Sequence, residues 1–196
     1  MPGIFFTHSN PSALKEADKK TEEMTPKKKN FVDLKNYLKS LLPHLESNIK
    51  PANTEKNGLT PDEIIQWSMS LEKLLSNPVG QAVFQDFLKS EFSEENIEFW
   101  LACEDYKRTR ASDELRSKAD IIYQEFIQPD ANKQVNIDFI TRNLVTSQLL
   151  EPSPNVFNEA QKMIYVLMER DSYPRFLKSE IFLNFAERFQ GNCARG

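Results

Sequence analysis

After residue 44 the sequence contains no histidine; its two are His8 and His44. Nucleophile pairs of the Ser–His or Cys–His kind and H-E-x-x-H zinc sites are thereby excluded from the rest of the chain. Glycine is nearly as scarce, at Gly3, Gly58, Gly80, Gly191 and Gly196. No G-x-G-x-x-G or G-x-x-x-x-G-K-[ST] can be assembled from these, so neither backbone cradle for a nucleotide's phosphates is present. Cys103 and Cys193 stand 90 positions apart, which is neither a disulfide framework nor a zinc spacing and suits a reducing interior. No apolar run approaches the roughly 18 residues that a membrane span needs. The opening MPGIFFTHSNPS lacks the basic and apolar regions of a secretory signal, and Pro2 rules out N-myristoylation. These absences predict no cofactor and no metal site.

What is present suits one core with an extension. Of 196 residues, 39% are hydrophobic and 28% charged, and 14 are phenylalanine. Charge is divided unevenly. Residues 1–60 carry a net of +3 with no arginine, and residues 61–196 a net of −7, which together make the overall −4. A basic arm on an acidic body argues against nucleic acid as a partner and allows the arm to meet an anionic surface.

Four segments follow along the chain. Residues 1–30 are polar, lack a period and end in Lys27, Lys28 and Lys29; they read as a disordered arm. In residues 31–46, Phe31, Leu34, Leu38, Leu41, Leu42 and Leu45 fall on one helical face with Lys35 and Lys39 at its edge. This amphipathic helix, broken near Pro43, is expected to lie on an anionic membrane surface. Residues 47–59 read as a linker, 60–190 as the folded domain, and 191–196 as a tail.

Helical signals run through the domain. Thr60-Pro61-Asp62-Glu63 forms a capping box with proline at the first helical position. Pro78, Ser93-Glu94-Glu95 and Ser112-Asp113-Glu114 open further helices, and others are predicted over 138–149, from Phe157 to Met168, over 172–178 and over 180–189. No segment alternates as a strand would. The fold class is therefore all-α, with eight or nine short helices. Trp67, Trp100 and the phenylalanines read as core.

Three polar stretches read as loops between the apolar helices: Ser90–Asn96 (SEFSEEN), Lys133–Asp138 (KQVNID) and Glu169–Arg175 (ERDSYPR). Each has a plain structural alternative. Ser93 and the acids after it make an ordinary helix start; Asn136 suits a turn; Asp171-Ser172 could cap the next helix. Spacing alone does not bring the three together.

Residues 70–187 resemble the regulator of G-protein signalling family through SLEKLLSNPVGQAVFQDFLKSEFSEENIEFWLACEDYK (70–107), KQVNID (133–138) and FNEAQKMIYVLMERDSYPRFLKSEIF (157–182). The short arm with PHLES at 43–47 resembles the small single-domain subfamily. The resemblance implies an RGS box of about nine helices, with a four-helix bundle and a second subdomain joining the chain's ends. It implies GTPase acceleration on heterotrimeric G-protein α subunits (Gα) of the inhibitory class and secondarily the q class, with attenuation of receptor signalling. Its contact residues fall on Glu91, Phe92, Ser93, Glu95 and Asn96, on Asn136, and on Leu167, Asp171, Ser172 and Arg175. Departures are TRN at 141–143 and the following NLVTSQLL, which bear on the choice of Gα. Cys103 aligns with a cysteine that is palmitoylated in some relatives, although a buried small hydrophobe is the simpler reading of its place beside Trp100.

The implied mechanism needs no catalytic group from this chain. Gα carries its own arginine and glutamine yet hydrolyses GTP at only about 10⁻² s⁻¹. A helper can bind the switch segments best in the transition state. Arg175 is expected to support the contact surface by an ion pair, since Gα needs no second finger. A non-accelerating scaffold would not need Glu95, Asn136 and Arg175, and an enzyme with its own site lacks the equipment. The expected location is cytoplasmic, with recruitment to the inner face of the plasma membrane, and the expected state is monomeric.

Overall fold

A computed structural model describes residues 59–193. The segments read as a disordered arm (1–30), a membrane-surface helix (31–46) and a linker, the last except for its final residue, lie outside the described residues, as do residues 194–196 of the tail. Every regular element among the described residues is helical.

Local chemistry sets the first three helix starts. In α1 (Pro61–Trp67) the Thr60 hydroxyl accepts from the Glu63 N–H at 3.3 Å, and the Glu63 carboxylate accepts from the Thr60 N–H at 2.8 Å. The capping box read from sequence is formed, with Leu59 packed on the core before it. Ser70 and Asn77 cap α2 (Leu71–Leu75) and α3 (Pro78–Ser90). The turn between them brings Gly80 against the end of α2, where a Cβ would lie 2.4 Å from the Leu74 carbonyl oxygen. A side chain there would force the two helices apart. The remaining helices are α4 (Glu95–Arg108), α5 (Ser112–Ile122), α6 (Phe139–Gln148), α7 (Asn158–Leu167), α8 (Tyr173–Phe176) and α9 (Glu180–Cys193). Helix α5 winds on into a π segment, Tyr123–Ile127, and α7 into another, Met168–Ser172, which leads directly into α8.

The helices form two groups. Helices α4 to α7 pack as a bundle, while α1, α2, α3 and α9 form a second group in which the domain's first and last helices meet. Each group has its own aromatic cluster. In the bundle, Phe99 packs with Phe126 (5.6 Å between centroids) and Phe157 (6.4 Å), and Tyr106 packs edge-on to Phe157 (5.1 Å). In the second group Phe176 touches Phe84, Phe87 and Phe182 at 5.1, 5.5 and 4.9 Å, and Trp67 stacks on Phe185. The Tyr173 hydroxyl donates to the Trp67 carbonyl at 2.7 Å, tying α8 to α1, and burial pushes that hydroxyl up to about 12. Such ring pairs contribute about 0.5–1.5 kcal/mol each beyond their buried area.

Some expectations fail in detail. The helix predicted over 172–178 is joined to the one before it through 169–171, which read as loop: π winding absorbs an extra residue per turn there. Trp100 is only partly buried, and Phe139 is 73% exposed on α6 beside the exposed Ile140. Both are apolar residues that the sequence pattern assigns no outward face.

Candidate functional site

The first polar stretch is shaped by how α3 ends. The Ser93 N–H bonds the Leu88 carbonyl at 2.9 Å and the Phe92 N–H bonds the Lys89 carbonyl at 3.1 Å, the paired bonds of a Schellman cap. Phe92 is thereby held at φ 53°, a left-handed conformation that usually falls to glycine and costs a bulky residue about 1–2 kcal/mol. Its ring is 91% exposed. A strained backbone presenting an unburied aromatic does nothing for stability. Phe92→Gly should raise the unfolding free energy by roughly 0.5–1 kcal/mol, the relieved strain less glycine's own entropy cost. Denaturant titration measures this, and capture of the implied Gα partner should weaken in the same variant.

The expected cap role of Ser93 is not what the structure shows. Its hydroxyl donates back to the Leu88 carbonyl at 3.3 Å, so it completes the end of α3. Glu94 precedes α4 without a side-chain cap bond. Asn96 is buried (6% exposed) and donates from Nδ2 to the Ser93 carbonyl at 3.2 Å and to the Glu95 carboxylate at 3.3 Å. It shapes the loop from beneath, while Glu91 and Phe92 lie on the surface and Ser93 and Glu95 are half-buried. Burial pushes the Glu95 carboxyl upward, with Glu94 and Glu98 adding repulsion.

Arg175 joins the first stretch to the third. Its Nε and Nη2 donate to the two Glu91 carboxylate oxygens at 3.1 and 2.7 Å across 84 residues of sequence. Its Nη1 donates to the Asp171 carboxylate and, at 3.2 Å, to the Asp171 carbonyl. The planar guanidinium thus grips α8, the π segment and the end of α3 together. Pairing holds the Asp171 carboxyl below its usual range and raises the guanidinium further above its own. The ion pair expected of Arg175 is present. Asp171 does not cap α8; it faces Arg175. Ser172 stands at the N-cap position without a side-chain cap bond and is buried, while Leu167, one turn earlier, is half-buried.

The second stretch is a true loop. Its backbone runs back along the end of α5, where the Lys133 and Val135 N–H groups take the carbonyls of Glu125 and Phe126 at 3.1 and 3.0 Å. Those are end carbonyls with no partner in their own helix. The Ile137 N–H then bonds the Val135 carbonyl at 3.1 Å, a γ-turn with Asn136 at its apex. Val135 and Ile137 are buried, and Asn136 between them is exposed. Asp138 caps α6 through the Thr141 N–H at 2.7 Å, a bond that lowers its carboxyl.

Salt links bring the stretches to one region at the start of α4. Arg175 ties the third to the first, and Lys133 ties the second to α4 through Glu98 at 2.5 Å. The pairing of Lys133 with Glu98, the burial of Glu125 and both π segments escape the sequence reading, because no spacing rule marks a π turn or an ion pair between distant segments. Cys103 is fully buried, and burial pushes its thiol well above the usual range. Acylation there would require α4 to leave the core. Lys27, Lys28, Lys29, Phe31, Leu34, Lys35, Leu38 and Lys39 lie outside the described residues. Among the described residues no group of histidine, cysteine, aspartate and glutamate could hold a metal ion, and no helix is long and apolar enough to cross a membrane.

Comparison with known proteins follows the same residues. The family described as "Regulator of G protein signaling domain" matches residues 70–185. Over the whole of both chains the sequence is 70% identical to Regulator of G-protein signaling 1 of Xenopus tropicalis. It is 54% identical to Regulator of G-protein signaling 1 of Homo sapiens, over the full chain and 94% of that protein. Regulator of G-protein signaling 5 of Sus scrofa is 47% identical over 91% of this chain and 94% of its own.

Proposed function

The chain belongs to the regulator of G-protein signalling family, and from that premise we propose that it is a GTPase-activating protein for Gα subunits that acts by holding their switch segments in the transition-state arrangement. It supplies no chemical group to the reaction. A hundredfold gain requires only about 2.7 kcal/mol, which two or three hydrogen bonds of roughly 1 kcal/mol, made better in the transition state, provide. The observation that carries this reading is the Arg175 clamp, which fixes Glu91, Asp171 and the loop of Phe92 as one unit. A prearranged surface of this kind is what selection of one partner conformation demands. The inhibitory class of Gα is the first expected partner and the q class the second, with GPCR signalling attenuated as Gα reaches its GDP form.

In the same reading the arm (Lys27–Lys29 and the 31–46 helix) brings the domain from the cytoplasm to the anionic inner face of the plasma membrane. A helix of about 12 residues is marginal in water and would fold on the lipid. One experiment addresses both parts. Single-turnover GTP hydrolysis by a purified inhibitory-class Gα should rise about a hundredfold with the whole chain and with a truncation starting at Gly58 alike. The cut must spare Leu59 and Thr60, which pack on and cap α1. The truncation alone should lose binding to anionic vesicles. No acceleration by the whole chain overturns the activity; equal vesicle binding overturns the arm's role.

A further inference from the structure

Beneath the Asn136 turn lies a charge cluster to which the resemblance assigns no role at Glu98, Glu125 or Lys133. Glu98 projects from α4 with 8% exposure, and Glu125 from the π segment with 7%. Carboxylates are rarely buried this deeply without a partner. Lys133 pairs with the first, its Nζ meeting the Glu98 carboxylate at 2.5 Å; burial raises the Glu125 carboxyl, and the charge of Lys133 partly offsets that. Glu95, at the first turn of α4, feels the same lysine. Lys133 therefore sits three residues before Asn136 with its backbone bonded to the Glu125 carbonyl and its side chain bonded to α4. On the other side of Asn136, Asp138 is fixed by its cap bond to Thr141. The turn is held at both ends, and only the Lys133 end spans two helices.

We propose that Lys133, gripped by the buried carboxylate of Glu98 and bonded through its backbone to the Glu125 carbonyl, is a positioning residue that sets where Asn136 stands relative to the first turn of α4. This rests on the proposed activity, because it assigns Lys133 an effect on Gα that passes through Asn136. Hydrophobic burial of Val135 and Ile137 keeps the loop on the domain, but apolar contacts are not directional. The ion pair adds direction: a buried carboxylate left without its cation is strongly disfavoured, so the lysine cannot drift without penalty. The winding of the π segment contributes by burying three consecutive residues, Glu125, Phe126 and Ile127, which keeps Glu125 beside the core.

The test uses the full chain with Lys133→Met, Lys133→Arg, Asn136→Ala and the Lys133→Met/Asn136→Ala pair. Amide exchange in the free protein should quicken about tenfold at Val135 and Ile137 in Lys133→Met, and remain unchanged at core residues such as Leu71. Single-turnover acceleration of Gα should fall about tenfold in Lys133→Met and be largely kept in Lys133→Arg. The double variant should be no slower than Asn136→Ala, because a residue acting through another has nothing further to lose. Additive losses, or exchange at Val135 and Ile137 equal to the parent's, overturn the proposal. Exchange that quickens equally at Leu71 does so as well, since that is general destabilisation. If Lys133→Met fails to fold, Glu98→Gln should give the same local loosening. Should the parent chain not accelerate Gα at all, the proposed activity falls, and the exchange arm alone decides whether Lys133 anchors the turn.

Discussion

Replacing Asn136 with alanine should slow Gα-bound GTP hydrolysis by about ten- to a hundredfold at saturating activator, equivalent to roughly 1.4–2.7 kcal/mol of transition-state stabilisation. The argument starts from the turn. Val135 and Ile137 are buried on either side, so the backbone is placed by apolar packing that alanine does not disturb. The Asn136 side chain is exposed and can donate and accept at once, which suits a group bridging two polar atoms of a partner. Thermal stability should barely move, because no core contact is lost. Binding to Gα carrying GDP and aluminium fluoride, a transition-state mimic, should weaken more than binding to a GTP-state mimic. Equal weakening would mean that Asn136 supplies uniform binding and leaves the barrier untouched. An unchanged hydrolysis rate would remove Asn136 from the mechanism.

The contrast between Asn136 and its neighbours shows where sequence reasoning reaches. Thr60-Pro61-Asp62-Glu63 declares α1 because a capping box is local: four consecutive residues satisfy one another. The all-α class is legible for a related reason, since apolar spacing repeats within each helix and competes with no other pattern. Ser93 misleads for a physical cause. A serine ahead of two acids looks like a helix start, but the Schellman cap of α3 claims it first through the Leu88 carbonyl. The stretch 169–175 misleads because polarity and a proline resemble a loop. Pro174 nevertheless lies within α8, directly after the π segment. The meeting of the three stretches is not local at all. Glu91 and Arg175 are 84 residues apart, and Lys133 and Glu98 are 35 apart. Family resemblance supplies the contact residues, but only the fold reveals that Asn96 and Ser172 are turned inward while Phe92 is turned out. Exposure in the free chain thus differs among residues that the resemblance treats alike.

Arg175→Met should lower the acceleration about tenfold while shifting the melting temperature by no more than about 5 °C. The two effects separate because of where the clamp lies. The side chains of Arg175, Glu91 and Asp171 are 46, 30 and 59% exposed, and ion pairs this open to water contribute roughly 0–1 kcal/mol to stability. Their value lies in geometry: the guanidinium fork fixes the loop that carries Phe92 to the helix that carries Asp171. Lysine in place of Arg175 keeps the charge but loses the planar fork that meets both Glu91 oxygens through two nitrogens and Asp171 through the third, so Arg175→Lys should fall between the parent and methionine. Glu91→Gln should reproduce most of the loss, although it leaves Arg175 intact. Combined with Arg175→Met it should add little, because both changes break the same contact. An arginine that instead reached the nucleotide in trans would behave differently. Glu91→Gln would then free it and cost little, and the two changes would not share a loss. Hydrolysis rates for the parent, the two single variants and the pair therefore distinguish a clamp from a finger without any structure of the complex.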